Sequence, residues 1–266
     1  MNILVCIKQV PDTTEIKIDP LTNTLLREGV PSIVNTFDGY ALEMAALIKD
    51  NNENVKITVI SMGPEQAKDA LRECMSVGAD KAYLISDKEF AGSDTLATGY
   101  ILSKAVKAME AKEGTFDIIF CGKQAIDGDT AQVGPQLAEC LNYPQITCII
   151  EAEAKDGKVK VKRETENGTE IWESSFPVLL TASKPEFDPR FPTIRGKIAA
   201  KKAQIPVLSM ADIQADKAKC GLKGSPTKVK KSFVPKLKND CIIITGETAE
   251  ISAKKMVLLL NESGLV

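Results

Sequence analysis

Not one of the 266 residues is a histidine, and that absence excludes more chemistry than any motif in the chain. Ser-His and Cys-His triads, imidazole acid-base catalysis and histidine-ligated zinc are removed together. Charge of one sign is lacking too: 34 lysines and arginines face 36 aspartates and glutamates, a net charge of -2. No global field draws the chain to nucleic acid or an anionic membrane, so a bound nucleotide must be held locally. No apolar run approaches the roughly 18 residues that suggest a membrane span. The opening MNILVCIK is too short for a secretory signal and reads as a first strand, which points to a cytoplasmic protein without membrane insertion. Cysteine occurs seven times, at 6, 74, 121, 140, 148, 220 and 241, but never as C-x-x-C. These read as reduced, mostly buried thiols.

What is present is a repeated unit of short apolar strand and amphipathic helix. Strands are expected at Ile3 to Ile7, Val55 to Ser61, Lys81 to Ile85 and Ile118 to Cys121. A helix opening at Asn35-Thr36-Phe37-Asp38 places Tyr40, Ala41, Met44, Ala45 and Ile48 on one face, as burial against a sheet requires. A second runs from Pro64 to Gly78, with proline at its start and glycine at its end. A third covers about Ser93 to Lys112. The segment EIKIDPLTNTLLR has the alternation and turn residues of a small hairpin. The fold class is therefore α/β, a mainly parallel, doubly wound sheet covered by helices on both faces. In such sheets ligands lie at the carboxyl ends of strands where the winding reverses. The loops at Lys8 to Pro11 and Gly122 to Thr130 are expected to face one another across that crevice.

The second of these loops lies in the stretch around which the chain is organised, FDIIFCGKQAIDGDTAQVGPQLAECL (116 to 141). An apolar strand ends in Gly122, a polar loop follows, and a helix is expected to open at Asp129, capped by Asp127 or Asp129. The unpaired amides of such a helix start suit a phosphate or pyrophosphate. A capped turn without a ligand is the alternative.

Beyond Pro144 the pattern becomes hairpin-like: Ile146 to Glu153, Lys158 to Arg163 and Thr169 to Ser174 are separated by Asp156-Gly157 and Asn167-Gly168. A further strand, Val178 to Ala182, is placed to return to the main sheet. Lys184 to Thr193 reads as an exposed loop, and Ile194 to Ala203 as a basic helix, either solvated or facing a partner. Residues 1–208 then form the α/β nucleotide-binding domain. Residues 209–266, rich in Lys, Gly, Ser and Pro before a last helix at about Glu247 to Glu262, form an extended arm. It either embraces a partner or packs on its own domain.

The run GKQAIDGDTAQVGPQLAECLNYPQ resembles the nucleotide-binding segment of electron transfer flavoprotein β subunits, and the likeness extends from LVCIKQVPD to VKRETENGTEIWESSFPVLLTAS. Arg163, Glu166, Glu170, Pro177, Leu179, Leu180 and Thr181 meet the family signature, while Asn167 and Trp172 depart mildly from it. The resemblance implies a heterodimer with an α subunit that carries an electron-shuttling FAD. In ordinary members the β subunit holds a structural AMP. In bifurcating members it holds a second FAD that takes a hydride from NADH and splits the electron pair between the α-subunit FAD, serving an acyl-CoA dehydrogenase-type flavoenzyme, and a low-potential ferredoxin or flavodoxin. Carried over by position, the cofactor-binding residues are Cys6, Asn35, Thr36, Phe37, Asp38, Met62, Gly122, Lys123, Gln124, Ala125, Ile126, Asp127, Gly128, Asp129, Thr130, Ala131, Gln132 and Val133. The partner-binding loop would use Lys184, Glu186, Phe187 and Arg190. No catalytic residue and no metal is assigned. The AMP pattern has a third acid and an Asn-Gln-Thr-Gly run; here Gly128 stands for the acid and Thr130 to Pro135 follows, which looks like the bifurcating branch. A stand-alone ATP- or AMP-binding stress-type protein is the alternative of another class, disfavoured by the long arm.

Overall fold

The computed structural model describes residues 1–12, 31–230 and 241–266. Strands β1 (Asn2–Cys6), β2 (Gln9–Pro11) and β3 (Ser32–Val34) precede helix α1 (Thr36–Asp50). Then come β4 (Lys56–Met62), α2 (Lys68–Val77), β5 (Lys81–Ile85), α3 (Thr95–Glu113), β6 (Ile118–Gly122) and α4 (Val133–Leu141). Strands β7 (Gln145–Lys155), β8 (Lys158–Thr165), β9 (Gly168–Ser175) and β10 (Val178–Ala182) follow, then α5 (Ile194–Lys202) and β11 (Val207–Leu208). A one-turn helix α6 (Gly221–Gly224) and α7 (Ala249–Glu262) complete the order. The expected hairpin in EIKIDPLTNTLLR falls outside the described residues, and β2 and β3, which flank it, pair antiparallel.

One nine-stranded sheet organises the chain, in the order β11-β5-β4-β1-β6-β10-β7-β8-β9. From β11 to β7 every pair is parallel, and β8 and β9 extend the edge as an antiparallel meander. The expected return of Val178–Ala182 is realised as β10, inserted between β6 and β7. The central strands are buried on both sides, which is why they read as unbroken apolar runs. Ile3, Val5, Ile57, Val59, Ile118 and Phe120 point into the core beneath α1 and α2; Leu4, Cys6, Ile60, Ile119 and Cys121 point into the core beneath α3 and α4. Each such large side chain contributes about 1.5–3 kcal/mol by leaving water. One glycine permits the packing of α4 on the sheet. A Cβ on Gly134 would stand 2.6 Å from the Thr181 methyl group, so its absence lets α4 lie close on β10.

The chain after β11 stays on this domain for a further stretch. Ile213 and Cys220 are buried, the Met210 amide donates to Asp87 Oδ2 at 3.0 Å, and Thr227 donates twice to Asp94 Oδ2. The Glu89 amide, joined by that of Met210, holds the Asp87 carboxylate below its ordinary range; Asp94 is desolvated, yet the Ala97 amide and then Thr227 hold it low as well. Residues 241–266 contrast with this. None is buried, and Ile243, Met256, Val257 and Leu258 expose more than half of their surface. Among the described residues no helix is long and apolar enough to cross a membrane.

Candidate functional site

In this order the winding reverses between β1 and β6: β1 is followed outward by β4 and β5, and β6 by β10 and β7. The two loops expected to face each other leave the sheet at this point, and side chains from the start of α1 tie them together. Asp38 accepts from the Lys8 amide at 2.7 Å with Oδ2, and from the Gly122 amide at 3.1 Å with Oδ1. Asn35 donates to the Gln124 carbonyl at 2.9 Å and accepts from the Ile126 amide at 3.0 Å. Lys8 closes the bridge from the other side, its Nζ 2.6 Å from Asp127 Oδ1. Asn35 and Asp38 are both buried; they satisfy backbone groups that an irregular loop would otherwise leave unpaired.

Gly122 is required by this approach. A Cβ there would run into Asp38 Oδ1 and stand 2.8 Å from the Phe37 carbonyl carbon. Gly128 differs, with nothing within 4 Å of the Cβ it lacks. Its glycine is not imposed by packing, so what it removes is a side chain from the mouth of the crevice.

The helix start expected at Asp129 is corrected. α4 begins at Val133, and Gln132 precedes it with no capping bond from its side chain. Both aspartates are engaged elsewhere: Asp127 by Lys8, and Asp129, at φ 50°, by the Gln124 amide nitrogen at 2.7 Å. Pro135 shows why the helix cannot start earlier. A helix opening at Asp129 would place it in the interior, where its missing N–H breaks the ladder, whereas from Val133 it lies in the first turn. That signal was present in the sequence. Thr130 and Ala131 are therefore loop residues, Ala131 also at positive φ (52°), and Gln132 Oε1 accepts from Thr95 on α3 at 2.9 Å.

Of the other residues assigned by position, Thr36 and Phe37 form the first turn of α1, with the Phe37 ring edge-on to Tyr40. Lys123 continues the ladder, its amide bonding the Ala182 carbonyl at 2.8 Å. The Ala125 carbonyl accepts from the Gly128 and Asp129 amides and closes the turn. Cys6 and Met62 end β1 and β4 on the α3 side. Lys8 itself was missed, although its loop was singled out; a cation at the end of the first strand, opposite an acidic loop, was the available sign.

Burial pushes the Asp38 carboxyl up to about 7, against the opposing pull of Asn35 and of the Lys8 and Gly122 amides. Because its folded pKa lies above the ordinary 3.8, the folded state holds the proton more tightly. Its contribution to stability is complete below the ordinary value and is lost as the pH rises through about 7. Asp38→Asn should therefore carry a constant offset from one mispaired amide but lose this slope, at most about 1.4 kcal/mol per pH unit. Melting curves of both proteins from pH 4.5 to 8 test this; parallel curves would contradict it.

The second predicted site, the loop after β10, is divided by the structure. Arg190 donates to both Glu43 oxygens at 2.9–3.0 Å and to Asp50 at 2.7 Å, so it anchors the loop on α1. Phe187 packs against the core. Lys184 and Glu186 are exposed, and beside them large apolar groups lie uncovered: Phe191, 91% exposed, and Ile194 at the start of α5, 81% exposed. The signature residues of the β8–β9 hairpin also find a structural use, since Arg163 pairs with Glu170 across the register at 3.7 Å.

Comparison with known proteins places this architecture. A model of the electron transfer flavoprotein domain matches residues 22–213. The electron transfer flavoprotein subunit beta of Megasphaera elsdenii is 55% identical over 93% of this chain and 92% of its own length. The subunit of the same name from Thermoanaerobacterium thermosaccharolyticum is 50% identical over the full length of both chains. The caffeyl-CoA reductase-Etf complex subunit CarD of Acetobacterium woodii is 45% identical, again over the full length of both. With the family model running from residue 22 through β6 and the β8–β9 signature hairpin, and relatives covering the whole chain, the chain belongs to the electron transfer flavoprotein family, among its β subunits.

Proposed function

We propose that this chain pairs with an electron transfer flavoprotein α subunit and holds an FAD of its own in the β1/β6 crevice, as a bifurcating β subunit does. The observation that carries the reading is the unforced Gly128: an acid would fit there, yet the position is empty of charge at the mouth of an anion site. The residues present suit a dinucleotide. Gly122 lets the end of β6 lie against the start of α1 and so shapes the crevice, the amino ends of α1 and α4 open at this end of the sheet, and Lys8 offsets the charge of Asp127. When bound, FAD supplies acceptance of a hydride from NADH and release of single electrons toward the α-subunit FAD and a ferredoxin or flavodoxin. The chain supplies position and electrostatics, which suits a protein without histidine. The relative named for a caffeyl-CoA reductase complex supports an acyl-CoA dehydrogenase-type flavoenzyme as partner.

Gly128→Asp tests the site. It should leave the melting temperature unchanged, because the space is open. It should weaken FAD by about tenfold, the equivalent of about 1.4 kcal/mol of repulsion near a diphosphate. Equal FAD affinity in both proteins would remove the basis for the reading.

The loop after β10 is the proposed contact with the dehydrogenase-type partner, through Phe191 and Ile194 with Lys184 and Glu186 beside them. Ile194→Asp should slow electron transfer to the partner by tenfold or more without loss of stability, since the side chain is 81% exposed. Unchanged transfer would move the interface elsewhere.

A further inference from the structure

Cys6 and Cys121 are the last and next-to-last residues of the adjacent strands β1 and β6. The β1–β6 register pairs Ile3 with Ile118 and Val5 with Phe120, so Cys6 stands beside Cys121 one step further on. Both side chains enter the same core beneath α3 and α4, and both thiols are free. The neighbouring Cys6 side chain first, then burial, holds the Cys121 thiol well above its ordinary range. The two side chains share apolar surroundings. Cys6 is 9% exposed and Cys121 4%, with Gly134 over Cys121: a Cβ there would stand 3.5 Å from the Cys121 Cβ.

Neighbouring strands hold paired backbones about 4.7–4.9 Å apart, with Cβ atoms at comparable spacing, whereas a relaxed disulfide wants its Cβ atoms about 3.8 Å apart. Direct oxidation would require the two central strands to move together. A single soft atom between the sulfurs avoids that. A soft metal cation needs thiolates and would bring charge into the core. Trivalent arsenic does not: arsenous acid and two thiols, all neutral, give a neutral chelate and two waters. Two As–S bonds form, two As–O bonds break, each thiol proton leaves with a hydroxyl, and no oxidation state changes.

We propose that Cys6 and Cys121 form a dithiol site for trivalent arsenic at the floor of the β1/β6 crevice, retaining one hydroxyl on the arsenic. The chelate requires both sulfurs. The remaining thiols serve as internal controls, Cys140 and Cys148 being partly exposed and Cys241 exposed.

The test uses the full-length chain under reducing, anoxic conditions, titrated with sodium arsenite. Elemental analysis after gel filtration and thermal melting are read on wild type, Cys6→Ala and Cys121→Ala. One arsenic per wild-type chain is expected, with a rise in melting temperature because the ligand binds the folded form. Either variant should lose the retained arsenic and the rise. If one variant fails to fold, the other decides alone, since either substitution removes the chelate. No arsenic retained by wild type, or equal retention in a folded variant, overturns the proposal.

Discussion

Gly122→Ala should lower the melting temperature by about 10 °C and leave the purified protein without bound nucleotide. In an ordinary strand, glycine to alanine is neutral or stabilising. Here the added methyl group falls on Asp38 Oδ1 and within 2.8 Å of the Phe37 carbonyl carbon. Neither can withdraw, because Asp38 is buried and bonded to two backbone amides, and Phe37 is in the first turn of α1. Overpacking costs about 1–3 kcal/mol, and displacing the Gly122 amide from its carboxylate about 1.5–3 more. For a chain of this size about 3 kcal/mol corresponds to roughly 10 °C. Scanning calorimetry and the absorbance of the released nucleotide measure both effects. Gly128→Ala is the control, expected to keep wild-type stability, since open space surrounds it. If the two variants behave alike, the tie between α1 and the end of β6 is not what shapes the site.

Removal of residues 231–266 should abolish pairing with the α subunit while the remaining chain keeps its fold and its nucleotide. Residues 241–266 bury nothing in the described chain, yet α7 carries Met256, Val257 and Leu258 at 53–61% exposure. A helix apolar on several sides leaves a patch that a partner is needed to cover. The cut belongs after Lys230 and not after Leu208. Between them Ile213 and Cys220 are buried, and Thr227 is held by Asp94. Truncation after Leu208 would expose that core and confuse loss of folding with loss of partner. Co-purification of the shortened chain with an α subunit at wild-type yield would contradict the assignment.

Local pattern made most of the sheet legible. Lys81–Ile85 and Val178–Ala182 were readable to the residue, because parallel strands covered on both faces appear as short apolar runs between turn residues. The crevice was legible as well, since the winding rule needs only the order of strands and helices. What failed was chemistry shared between distant segments. Asp127 and Asp129 have the composition of helix caps, but their partners are Lys8, 119 positions away in sequence, and Gln124. Asn35 and Asp38 opened a helix as read, yet nothing local shows that their polar atoms serve the β1 and β6 loops instead of their own helix. The clasp of residues 209–227 is invisible for the same reason: it uses few apolar residues and depends on Asp87, Asp94 and Tyr100 of other elements. In the loop after β10, Arg190 was assigned to the partner through the resemblance, but it is engaged by Glu43 and Asp50, while no local pattern distinguishes the exposed Phe191 and Ile194.

The central claim is that the β1/β6 crevice holds a flavin that answers to NADH. It is tested most directly by assembling the chain with its α subunit, counting flavins, and titrating the heterodimer with NADH in the absence of oxygen. Two flavins per heterodimer, with the one assigned to this chain bleached by NADH and the bleaching impaired by Gly128→Asp, is the predicted result. One flavin with one AMP, and no spectral response to NADH, would contradict it and make this chain an ordinary electron-carrier subunit.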